Sequence, residues 1–176
     1  MKKFNSVISL LLIIAVLAHG VLASLLMMGW VGNTMPIPAF ISLGLLLIHI
    51  VLSCILSTKT IKDAVKSGDK YEIQNKMFII RRVSGVLMMV FVIAHLVFYF
   101  GPQVENFKDT AMSVPQLVLL ILLLISLIVH IVTNIRPLMV SLGVTSPTGV
   151  RVVLGLLIAC ALIAMAMAGV AFFLKW

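Results

Sequence analysis

Residues 83–104, 110–135 and 152–174 contain no Asp, Glu, Lys or Arg. Each stretch exceeds the about 20 residues an α-helix needs to cross the hydrocarbon core of a bilayer. Two more apolar segments precede them, so five candidate spans lie at about 4–30, 37–56, 77–100, 114–135 and 150–174. In hydrocarbon every backbone N–H and C=O needs an internal partner, which leaves helices or closed barrels. Barrel strands would alternate in polarity, and runs such as residues 117–124 do not. The sequence therefore predicts an all-α integral membrane protein with five transmembrane helices in a single domain, 1–176.

Composition agrees. The chain is 62% hydrophobic and 10% charged, where a soluble domain is about 45–50% apolar and about 25% charged. No soluble fold of this size could bury so much apolar surface, which excludes a soluble enzyme and a disordered chain. Only two cysteines are present, Cys54 and Cys160. Both lie in apolar runs, so a disulfide scaffold is excluded too.

Turn residues separate the spans. Gly32, Asn33, Pro36 and Pro38 divide the first two, and Gly101-Pro102 follows the third. Pro137, Gly143, Pro147 and Gly149 divide the last two. The polar stretch 57–76 reads as a loop with one amphipathic turn.

The net charge is +8, with 13 Lys and Arg against 5 Asp and Glu. In a soluble chain this would point to nucleic acid, but here the cations flank the spans. Lys2, Lys3, Lys59, Lys62, Lys66, Lys70, Lys76, Arg81, Arg82, Arg136 and Arg151 fall on one side, and only Lys108 and Lys175 on the other. Cytoplasmic loops carry the excess of Lys and Arg. The expectation is a cytoplasmic (inner) membrane protein with its N-terminus cytoplasmic, its C-terminus outside and no nucleic-acid partner. Lys2-Lys3 with Val21-Leu22-Ala23 resembles a signal peptide. The apolar run continues past Ala23 to Met28, however, which favours a retained helix.

The four histidines are His19, His49, His95 and His130, one in each of the first four spans. A single intramembrane His can serve as an interhelical hydrogen bond. Four, one per span and none in a loop, point to function. At about 1.5 Å per residue, His19 and His95 lie about 22 and 18 Å from the cytoplasmic edge, and His49 and His130 about 12 and 8 Å. Two depths with two histidines each suit two bis-histidine metal centres in a four-helix bundle. Zinc would need further ligands, and no Cys, Asp or Glu lies at either depth. Haem iron needs only one or two axial protein ligands. Cys-x-x-Cys-His is absent, so covalent attachment is excluded. Two haem b groups are expected, with His19 and His95 on the outer iron and His49 and His130 on the inner.

The stretch Met77-Phe-Ile-Ile-Arg-Arg-Val-Ser-Gly-Val-Leu, ending in Phe-Val-Ile-Ala-His95, resembles a helix of a known family. That helix is the Arg-x-[Ser/Thr]-Gly helix of the membrane anchors of succinate:quinone and fumarate:quinone oxidoreductases. His130-Ile-Val-Thr-Asn-Ile-Arg-Pro-Leu-Met-Val-Ser-Leu-Gly143 resembles the next helix of that family. The single-chain, five-helix, dihaem group fits best, over about His49 to the C-terminus. The resemblance implies a flavoprotein and an iron–sulfur subunit on the cytoplasmic face. It also implies electron transfer through two haems and a quinone of menaquinone type. Its pairing of the histidines, second with fourth and first with third, is the one that depth gives. The chain alone would not be a complete enzyme.

Arg81, Arg82 and Arg136 are candidates for haem propionates, since Arg matches carboxylates in bidentate geometry; the alternative is topology anchoring. The resemblance adds a cofactor-side role for Ser84, beside helix packing with Gly85. For quinone, the outer helix ends offer Trp30, Asn33, Tyr99, Gln103 and Glu105. Two other readings stay open: a cytochrome b of another respiratory oxidoreductase, and a haem-free transporter with a His relay.

Overall fold

A computed structural model describes residues 1–31, 36–68, 76–100, 113–143 and 148–175. Among these residues are five helices: α1 (Lys2–Met27), α2 (Pro36–Ser67), α3 (Lys76–Phe100), α4 (Val114–Ser141) and α5 (Thr148–Lys175). All five are long and apolar enough to cross a membrane, and no strand occurs among the described residues. The protein is all-α and fits a multi-pass membrane protein.

Two helices run further than hydropathy alone predicts. α2 does not stop near Leu56 but continues to Ser67, carrying Lys59, Lys62, Asp63 and Lys66 on about three further turns. Polarity marks where the lipid ends; it does not end the hydrogen-bond ladder. The stop is Gly68, whose φ of +72° is easy only for a residue without a Cβ. α4 likewise passes residue 135 and Pro137 and ends at Ser141. Pro137 has no N–H to give the Thr133 carbonyl, yet beyond it Met139 is buried, and that packing holds the last turn.

Caps fix other ends. Behind α1, Gly29 N–H bonds to Leu26 O at 2.9 Å and Trp30 N–H to Leu25 O at 3.0 Å, a Schellman closure. At the start of α4 the Ser113 hydroxyl accepts from Gln116 N–H, while Gln116 Oε1 accepts from Ser113 N–H at 2.8 Å. This is a capping box.

Packing joins α1 to α2 and α3 to α4 as two helical hairpins, which meet where α1 touches α4. α5 packs on both α1 and α4. Leu124, Ile131, Ile158, Leu162 and Met165 form this core, with Ile13 and Leu17 of α1 against it. Leu162 is only 1% exposed. Two side chains here lie over glycines: a Cβ on Gly20 would stand 2.5 Å from Met165 Sδ, and one on Gly169 2.6 Å from Leu120 Cδ2, so either side chain would have to shift to admit one. Small residues let helices pack closely where lipid offers no hydrophobic drive. Ser6 of α1 donates to Ser141 of α4 at 2.7 Å, tying the hairpins at their basic end.

The first four helices do not close into a ring. Among the described residues no Cα of α2 lies within 8 Å of one in α3 or α4, and none of α1 within 8 Å of one in α3. On the side away from α5 the hairpin backbones therefore stand further apart, a cleft between helices that only side chains bridge.

Candidate functional site

The four histidines come from α1, α2, α3 and α4, and all are half-buried. His49 and His130 cross the gap between hairpins, with ring centroids 6.5 Å apart and ring planes at 80°. His19 and His95 also come one from each hairpin. Each predicted pair thus takes one histidine from either side.

Two serines engage the first pair. Ser9 Oγ, on α1, lies 3.1 Å from His49 Nδ1 and donates to the Asn5 carbonyl at 2.7 Å. Ser84 Oγ, on α3, lies 3.2 Å from His130 Nδ1 and donates to the Arg81 carbonyl at 3.2 Å. Ser84 is 4% exposed. A weaker contact of 3.4 Å joins Ser53 Oγ to His49 Nε2. No hydrogen bond to His130 Nε2 occurs among the described residues. Gly85 lies against the His130 ring: a Cβ there would stand 3.2 Å from Cε1 and 3.5 Å from Nδ1. The Ser84-Gly85 pair, read from sequence first as helix packing, does pack against α4, at the His130 ring. On the far side of that residue the His130 carbonyl accepts from Asn134 Nδ2 at 2.7 Å and Thr133 Oγ1 at 3.2 Å.

The second pair is furnished differently. His19 Nδ1 is buried without a hydrogen-bond partner, and His95 has none among the described residues.

Arg82 is exposed on α3, and its charge is felt at His49 and His130. Its guanidinium also sits 4.9 Å above the Phe78 ring, a cation–π distance. Arg81 turns back along its own helix, with Nε donating to Met77 O at 2.9 Å. Arg136 is exposed on α4. Of the quinone candidates, Trp30 is 74% exposed beyond α1. Asn33, Gln103, Glu105 and the Tyr99 side chain lie outside the described residues.

Among the described residues no group of three or more His, Cys, Asp or Glu could enclose a metal ion. The donor sets are pairs of imidazoles. They suit a metal that arrives with its other ligands already attached, and the orphaned His19 Nδ1 marks a buried polar atom awaiting a partner. Sequence reasoning missed Ser9. A serine in a Leu/Ile-rich helix reads as bonding its own backbone, and only the folded hairpin shows what else it touches. Compared with family models, curated proteins and solved structures, the chain matches none.

Proposed function

We propose that this chain is a dihaem cytochrome b anchor that carries electrons between a quinone pool and a cytoplasmic flavoprotein and iron–sulfur pair of the succinate dehydrogenase or fumarate reductase type. The observation that supports it best is the meeting of His49 and His130, 6.5 Å apart across the cleft. Metal–imidazole bonds of about 2.0–2.1 Å would put two rings on opposite sides of one metal at about that separation. A flat apolar macrocycle suits a slot between two apolar hairpins, and histidine is its usual axial ligand.

Haem when bound supplies reversible one-electron chemistry at iron. The protein's own groups do the rest. His49 with His130, and His19 with His95, hold and orient the two groups. Each pair would supply two imidazoles to its haem, a donor set that suits electron transfer. Arg82 brings positive charge to the mouth of the inner site, where propionates would otherwise be unpaired; Arg81 and Arg136 lie at the same basic end. The lysines of α2 and its continuation face the cytoplasm in this reading, with the iron–sulfur subunit docked there. Quinone, an apolar molecule within the bilayer, is then the partner for the outer haem at the opposite helix ends.

A pyridine haemochrome assay on purified protein should find close to two haem b per chain. A chain with no reduced-minus-oxidised spectrum would sink the proposal and favour a His-relay transporter.

A further inference from the structure

His49 and His130 share a feature that neither of the other two histidines shows among the described residues. In each case the imidazole Nδ1 meets a serine hydroxyl from the neighbouring helix of its own hairpin, and that serine also meets a backbone carbonyl. A hydroxyl has one proton to give. Ser9 lies closer to the Asn5 carbonyl, 2.7 Å, than to His49 Nδ1, 3.1 Å, so its proton goes to the carbonyl and its oxygen accepts from the ring. At Ser84 the two distances are equal, 3.2 Å. A hydroxyl that gives its one proton to the Arg81 carbonyl leaves its oxygen to accept from Nδ1, the same arrangement as at Ser9.

We propose that Ser9 and Ser84 are positioning residues that hold His49 and His130 with the proton on Nδ1, so that both Nε2 lone pairs are free to ligate the same metal. The proposal rests on the reading of these two histidines as axial ligands. A neutral imidazole in water carries its proton mostly on Nε2, the wrong nitrogen for this task. The nitrogen that binds metal is set by the hydrogen bond the other one makes, and that bond also raises ligand basicity. Ser53 at 3.4 Å from His49 Nε2 is the weak contact that a ligand would displace. His19, with no partner at Nδ1, is the internal contrast.

The test uses full-length protein, reconstituted in lipid and labelled with nitrogen-15 at histidine, with and without haem. Ring shifts are assigned by their loss in His49→Gln and His130→Gln. In haem-free wild type both rings should be in the Nδ1–H form. Ser84→Ala should release His130 alone and Ser9→Ala His49 alone, while Ser84→Thr and Ser9→Thr keep the locked form. In haem-loaded protein each alanine variant should raise the reduction potential of the inner component, leaving the outer one in place, and the threonine variants should restore it. Wild-type rings found in the Nε2–H form, or tautomers unchanged in both alanine variants, would overturn the proposal. Should an alanine variant not fold, the wild-type and threonine spectra still decide. Protein that takes up no haem rejects the axial-ligand reading, while the haem-free spectra separately decide whether the serines set the tautomers.

Discussion

His49 and His130 bring their rings to 6.5 Å although no Cα of α2 lies within 8 Å of one in α4. The helices keep their distance and the side chains span it. Such spacing is unfavourable for two helices packing on each other, and it is what a pair needs when something flat lies between.

The first prediction separates the pairs. His49→Ala and His130→Ala should abolish the same haem spectral component, and His19→Ala and His95→Ala the other. Loss of one shared component in His49→Ala and His95→Ala would mean that the pairing is wrong.

Gly85→Ala tests the fit of one ring. A new Cβ at 3.2 Å from His130 Cε1 must push that ring by a few tenths of an ångström. The electron paramagnetic resonance signal of the inner haem should shift in Gly85→Ala while the outer signal stays. An unchanged inner signal would place His130 elsewhere.

How far the sequence reaches can be judged from these residues. One histidine per span is legible from the sequence, and counting along helices of constant rise already put His49 level with His130, whose rings meet. The reach of α2 to Ser67 was not legible, since hydropathy reports lipid contact, whereas helix length follows Gly68 and the helix-forming residues before it. Pro137 looked like a break because it removes one hydrogen bond. The tertiary packing of Met139 outweighs that loss. Ser9 carried no signal, since its role exists only once α1 lies on α2. The open side between α2 and α3 was also beyond reach, because each helix is apolar nearly all round and periodicity does not tell lipid from partner.

Leu162→Ala probes the α1–α4–α5 seam. Lipid is as apolar as leucine, so only packing is lost, and the cost should be about 1–3 kcal/mol, below many water-soluble cases. Thermal unfolding in detergent should shift down while the spectra of both haems remain. A loss of haem without a shift in unfolding would mean that the seam also forms the cofactor site.

The polar turns of α2 carry a docking prediction. Lys59, Lys62 and Lys66 extend beyond the apolar part of that helix. In a complex proven intact, lysine-reactive crosslinkers should join them to an iron–sulfur subunit. Crosslinks that reach every other neighbour but never that subunit would leave these lysines with topology alone.

Quinone chemistry moves protons with electrons, so a carboxylate near the site is useful. Glu105→Gln, with haem content checked, should slow quinol-linked turnover by about 10²-fold or more if this residue relays the proton. Full activity with both haems present clears Glu105. A quinone analogue that disturbs only the inner haem moves the site to the basic side.

The seam of α1, α4 and α5 has a consequence for how the protein is made. Its tightest contacts, Leu162 and the two glycine crossings at Gly20 and Gly169, involve none of the histidines. A scaffold held in this way does not draw on the histidine pairs for its packing. If haem is the guest, as proposed, the side between α2 and α3, where no Cα pair of the described residues comes within 8 Å, is where a flat, lipid-soluble molecule would enter from the membrane, with insertion first and loading second.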